Sequence, residues 1–94
     1  MKKTDLILKL SNNSKLFKAD SKACVELILK ALTDGIVSGK GVEIRGFGGF
    51  YKKHRKARIG INPKTAEKTQ VDEKFVPFFK PGKLLRELVN QDNL

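Results

Sequence analysis

Ninety-four residues leave room for one domain with a small core, and a chain this short gains from burial shared with a second subunit. Twenty Lys and Arg against ten Asp and Glu give a formal charge of +10, which points to nucleic acid before anionic membrane or an acidic protein. One cysteine and one histidine exclude a disulfide framework and leave too few ligands for a metal site.

The charge is uneven: residues 1–50 carry nine Lys/Arg against five Asp/Glu, and residues 51–94 carry eleven against five. Lys2 and Lys3 precede a short apolar run that Lys9 interrupts, which does not read as a signal peptide, and no run has the length of a membrane span. With Cys24 alone, these features predict a reducing, cytoplasmic location.

In chain order, Thr4 followed by Asp5 reads as a helix cap with an acid in the first turn. Leu6, Ile7 and Leu10 recur at helical spacing, and Ser11-Asn12-Asn13-Ser14 is the expected stop. A second helix follows Leu16-Phe17, with Asp20 or Ser21 as its cap. Its apolar face is Cys24, Leu27, Ile28, Ala31, Leu32 and Ile36, and this places the Cys24 thiol in packing. Ser38-Gly39-Lys40-Gly41 ends it with glycine in the expected position.

After Gly41 the period changes to two. Val42 and Ile44 alternate with Glu43 and Arg45 as a half-buried strand, and Gly46-Phe47-Gly48-Gly49-Phe50 reads as a glycine turn anchored by phenylalanines. Phe47 and Phe50 are expected in the core or at a dimer interface. The chain is then extended from Tyr51 to Ile61, reverses in a four-residue turn at Asn62-Pro63-Lys64-Thr65, and is extended again from Lys68 to Phe79. Between Glu43 and Glu67 no acid occurs, while Arg45, Lys52, Lys53, Arg55, Lys56, Arg58 and Lys64 are all cationic. From Ile59 to Lys74 the apolar side chains, Pro63 apart, are Ile59, Ile61, Ala66 and Val71, too few to enter a core. The hairpin is therefore expected to project into solvent, reaching about 33 Å over the ten steps from Lys52 to Asn62. Pro81-Gly82 opens a last helix with Leu84, Leu85, Leu88 and Val89 on its apolar face and a polar tail from Asn90.

Catalytic chemistry finds little support. His54 lies in a run of cations and reads as a surface strand residue, and the adjacent carboxylates Asp72 and Glu73 point to opposite faces of a strand. The Gly46–Gly49 run lacks the Lys-Ser/Thr of a phosphate-binding loop. The cations read instead as phosphate contacts along a ribbon, with a second phosphate site at Lys80 and Lys83 around the start of the last helix. Pro63 reads as a turn-former and, at the tip of a basic ribbon, as an apolar wedge for a base step.

Val42-Glu43-Ile44-Arg45-Gly46-Phe47-Gly48-Gly49-Phe50, Arg55 and Arg58, Gly60 through Thr65, and Val76-Pro77-Phe78-Phe79-Lys80-Pro81-Gly82-Lys83 together resemble the bacterial HU and integration host factor proteins, over about Lys3 to Asn90. The resemblance implies an α+β fold: two N-terminal helices, a three-stranded antiparallel sheet with a long projecting β-hairpin arm, and a short C-terminal helix. The implied assembly is an intertwined dimer, either a homodimer or a heterodimer with a related subunit. It implies one domain over residues 1–94, with a helical dimerisation base at 1–41, sheet and arm at 42–80, and C-terminal helix and tail at 81–94.

Double-stranded DNA is the implied partner, in the nucleoid, with no cofactor, small-molecule substrate or catalytic residue. Pro63 would insert between base pairs from the minor groove, with Asn62 and Lys64 beside it. Arg55 and Arg58 would line the arm and Lys53 its base. Lys3, Lys80, Lys83 and Arg86 would hold flanking phosphates. Arg45, before Gly46 in the same DNA-facing turn, looks like the integration host factor beta-type subunit and would enter the minor groove. Phe47, Phe50 and Phe79 would form the dimer core. Three positions depart from the pattern: Ile61 where an arginine is usual, Ala66 for a turn glycine, and Gly49 for a Ser or Thr. The implied function is an architectural protein that bends duplex DNA. The alternatives are an RNA-binding or ribosome-associated basic module and, more remotely, a metal-dependent nuclease at Asp72 and Glu73 or a membrane-surface protein.

Overall fold

A computed structural model describes residues 1–91, and its first element, α1 (Lys3–Ser14), starts ahead of the expected Thr4 cap. The reason is local. The Asp5 carboxylate accepts the Lys2 backbone N–H at 2.7 Å, so one acid caps a helix whose N-cap is Lys2 and Thr4 falls inside the first turn. The polar run Ser11–Ser14, expected as the stop, is itself helical and ends the helix only at its last residue. Lys15 follows in the left-handed region, where the Ser11 hydroxyl donates to the Leu16 carbonyl at 2.7 Å.

Helix α2 (Lys18–Ser38) likewise begins earlier than expected, with Phe17 as N-cap, so Asp20 and Ser21 lie in its first turns rather than capping it. Ser21 is fully buried, and with Ile7 of α1 and Val25 it completes the enclosed side chains of the helical pair. Gly39 closes α2 at φ 85°, its N–H donating to the Ile36 carbonyl, as its sequence position predicts. Gly35 serves a different need: a Cβ there would run into Val42 Cγ2, so the helix approaches the first strand through a glycine.

β1 (Val42–Ile44), β2 (Gly48–Arg55) and β5 (Lys74–Pro81) form a three-stranded antiparallel sheet in the order β1-β2-β5. β3 (Arg58–Ile61) and β4 (Lys68–Val71) form a second, two-stranded antiparallel sheet. The two are one hairpin, interrupted where Lys56-Ala57 stands opposite Asp72-Glu73 between the pairs Arg55↔Lys74 and Arg58↔Val71. The continuous extension expected from Tyr51 to Ile61 is thus broken in the middle. Pro77 pairs with Lys52 on β5, an edge strand, where a missing donor is tolerated. Gly82 caps α3 (Lys83–Asn90), and its N–H donates to the Phe47 carbonyl at 2.9 Å, tying the last helix to the β1–β2 turn. Asn90, expected in the tail, is the last residue of that helix.

One chain encloses little. Among the described residues the buried apolar side chains are Ile7 and Val25. The radius of gyration is 18.7 Å, against about 12 Å for a compact chain of this length. Cys24, expected in packing, is exposed on the single chain, and so are its apolar neighbours Leu27 (69%) and Ile28 (57%). Leu84, Leu88 and Val89 of α3 are also exposed. The helical period correctly groups these residues on faces, but among the described residues nothing in the single chain covers them.

Candidate nucleic-acid interface

Strand alternation sorts the three-stranded sheet into two unlike faces. Val42, Phe50, Lys52, His54, Phe75, Pro77 and Phe79 share one. There Phe47, Phe50 and Phe79 come together as a triad with ring centroids 4.8–6.4 Å apart, joining the three phenylalanines named from sequence. Lys52 belongs to this face too. Its ammonium donates to the Val37 carbonyl near the C-terminus of α2 at 3.2 Å and lies 4.6 Å from the Phe75 ring centre, so it stabilises the body rather than standing free. His54 contacts Glu73 at 3.0 Å and lies beside Phe75.

The opposite face carries the cations. Lys53 and Arg55 of β2 stand across from Val76 and Lys74, and Lys80 stands across from Gly49. The Lys53 ammonium lies 4.8 Å over the Phe78 ring, which keeps its charge on this surface. Arg45 and Gly46, in the β1–β2 turn, line one cleft with Glu43, Gly49, Tyr51 and Lys80. The Gly82–Phe47 hydrogen bond brings that turn beside the start of α3, where Lys83 follows. Residues separated by more than thirty positions in sequence therefore share one basic surface. Lys74 belongs to it, opposite Arg55, and was missed in the sequence; its parity with Lys80 along the same extended run was the available signal.

The outer ribbon stands apart, with β3 and β4 packing mainly on each other. Ile59 and Ile61 lie on one side of it and are exposed, and Gly60 lies beneath Val71 on the other. The tip is larger than the four-residue reversal read from sequence. Asn62 donates its N–H to the Glu67 carbonyl at 2.9 Å, and the Asn62 carbonyl accepts the Ala66 N–H at 2.7 Å. The Asn62 side-chain oxygen accepts the Lys64 N–H at 2.9 Å, an Asx turn that holds Pro63 exposed at the apex. Ala66 adopts φ 58°, the left-handed conformation in which a glycine would be unstrained. Lys64 lies in this tip, whereas Arg58 opens β3 at the other end of the ribbon, opposite Val71.

Lys3 lies elsewhere, in a groove between α1 and α2 with Lys18 and Lys22, and its ammonium is 3.6 Å from Glu26. Lys83 and Arg86 project from α3, Lys83 within 4.0 Å of Glu87 and still largely exposed. The named cations thus divide among the sheet face and its β1–β2 turn (Arg45, Lys53, Arg55, Lys80), the outer ribbon (Arg58, Lys64), a patch at the start of α3, and a separate site on α1. The Asp72-Glu73 pair falls in the break of the hairpin, with Glu73 turned to His54. Among the described residues no group of three His, Cys, Asp or Glu is arranged to hold a metal ion, and no helix is long and apolar enough to cross a membrane.

A family model described as bacterial DNA-binding protein matches residues 1–90. Integration host factor subunit beta of Burkholderia cenocepacia is 47% identical over 91 residues, covering 96% of this chain and 85% of that protein. The same subunit of Burkholderia multivorans matches to the same extent. Among solved structures, an Anabaena HU–DNA cocrystal structure superposes with a TM-score of 0.87 at 36% identity, covering 97% of this chain and 99% of that one. An HU variant from Thermotoga maritima superposes with a TM-score of 0.69 at 29% identity, covering 95% and 99%.

Proposed function

The chain belongs to the bacterial DNA-binding protein family of HU and integration host factor, and from that premise we propose that it acts as a dimer that grips duplex DNA through the minor groove and bends it. The observation that carries this reading is the arm: a ribbon with little core of its own, flanked by cations and ending in an exposed, rigidly turned Pro63. Pro63 is the wedge that opens a base step, with Asn62 and Lys64 beside it and Arg55 and Arg58 following the groove. Lys53, Lys80, Lys83 and Arg86 hold backbone phosphates on the flanks, and Lys3 does so once it exchanges Glu26 for phosphate. Arg45 and Gly46 meet the DNA at the β1–β2 turn. The DNA in the cocrystal of the Anabaena HU relative supports the same ligand here.

The exposed apolar faces of α2 and α3, together with the Phe47–Phe50–Phe79 triad, support pairing with a second copy or a related subunit. Bending a short site costs of order 1–6 kcal/mol. Phosphate neutralisation along both flanks, with release of condensed counterions, offsets that cost. The role is architectural, in the nucleoid of the cytoplasm, and needs no catalytic group.

Gel-shift titration of a short duplex across a salt series tests the binding mode. With six or more phosphates neutralised, affinity falls about a thousandfold or more between 50 and 200 mM salt. A nearly salt-independent affinity contradicts phosphate-led binding. Structured RNA that displaces the duplex at lower concentration than competing DNA would restore the RNA-binding alternative.

A further inference from the structure

The polar face of the sheet contains one carboxylate, Glu43, which is also the sole acid in β1, β2 and β5. Arg45 follows it by two residues, at the start of the β1–β2 turn, and lines the same cleft, so Arg45 is the natural partner for that charge. The structure shows otherwise. Glu43 Oε1 accepts the Tyr51 hydroxyl at 2.7 Å, and among the described residues Arg45 makes no ion pair. The tyrosine is seated between two glycines. A Cβ at Gly49 would come within 2.6 Å of Tyr51 Cε2, and one at Gly41 within 2.7 Å of Cδ1. The ring occupies the space that side chains at both positions would take, and its hydroxyl reaches from β2 to the acid on β1. Gly49, a departure from the family pattern, thus has a physical counterpart in Tyr51.

We propose that Tyr51 is a positioning residue that holds Glu43 over Gly49 and thereby leaves Arg45 unpaired for DNA. The proposal rests on the DNA-binding function above and assigns a role within it to a residue that need not touch the duplex. A phosphate or base edge that recruits Arg45 meets a guanidinium with no bond to break. Without the phenol, Glu43 is free to swing to Arg45, and the pair must be broken, or its carboxylate carried against a polyanion.

The test is a set of affinities for one nicked duplex of about 30 base pairs at fixed low salt. Tyr51→Phe keeps the ring in its seat and removes only the donor. It weakens binding by about three- to fivefold, the upper part of the range of an exposed ion pair. Tyr51→Phe/Glu43→Gln restores wild-type affinity, because the freed side chain no longer carries charge. In an Arg45→Ala background, Tyr51→Phe changes nothing further. The proposal is overturned if Tyr51→Phe binds as tightly as wild type, if Glu43→Gln fails to rescue it, or if the loss persists without Arg45, which would make Tyr51 itself a DNA contact. A wild-type protein that does not bind the duplex overturns the proposed function and this role with it, whereas intact binding with no effect at Tyr51 overturns this role alone.

Discussion

At the scale of single residues, Tyr51 offers a measurement that needs no ligand. Its hydroxyl donates to Glu43, and that hydrogen bond, followed by burial and the charge of Glu43, raises its pKa above the ordinary value near 10. The donating phenol is the favoured form. The contact's contribution to stability is therefore complete below pH 10 and is lost as pH rises through the higher folded value. Tyr51 is the only tyrosine in the chain, so an ultraviolet pH titration reports on it alone. Wild-type protein ionises above the ordinary value, and Glu43→Ala moves the midpoint back toward it; coincident curves would show that the bond does not form. The sequence contains no direct sign of this contact, because the partners are eight residues apart across a turn and are joined only once the register Glu43↔Gly49 is known. Ala66, by contrast, was legible as an unusual turn residue, and its left-handed backbone shows the consequence.

At the scale of elements, the change of period at Gly41, the glycine end of α2 and the Gly82 start of α3 were all legible, since each rests on local stereochemistry. The starts of α1 and α2 were not: in α1, Asp5 reaches back to Lys2 and the Thr4 hydroxyl is not needed, and in α2, Phe17 takes the cap position ahead of Asp20 and Ser21. The break in the hairpin at Lys56-Ala57 has no strong local signal; it appears where two matched pairs of residues leave the ladder together. Gly35 illustrates a tertiary cause inside a helix. Gly35→Ala gains about 1 kcal/mol of helix propensity. It also drives a methyl into Val42, and overpacking costs about 1–3 kcal/mol. Urea denaturation is expected to show a net loss of about 1 kcal/mol. A net gain would mean that α2 and β1 separate without cost.

At the scale of the whole molecule, the single chain looks like half of something. Its accessible surface is 8345 Å², against about 5,400 Å² for a compact monomer of 10.5 kDa. Sequence periodicity identified which apolar residues of α2 share a face; it could not say that Leu27 and Ile28 stay exposed on the single chain. Coupled folding and association makes the unfolding midpoint rise with protein concentration. Leu27→Asp should lower the midpoint and abolish that dependence, with sedimentation as the check on mass. A midpoint independent of concentration in the wild type would contradict the dimer. The proposed function makes the same demand, because a dimer with two arms would kink a duplex at two points around one body. Ring closure of a duplex shorter than the persistence length of about 150 base pairs tests this most directly, with bound protein confirmed by gel shift. The account predicts that wild-type protein greatly accelerates closure, while Pro63→Ala binds with only modestly reduced affinity and loses most of the acceleration. Saturating wild-type protein that leaves the closure rate unchanged would contradict it.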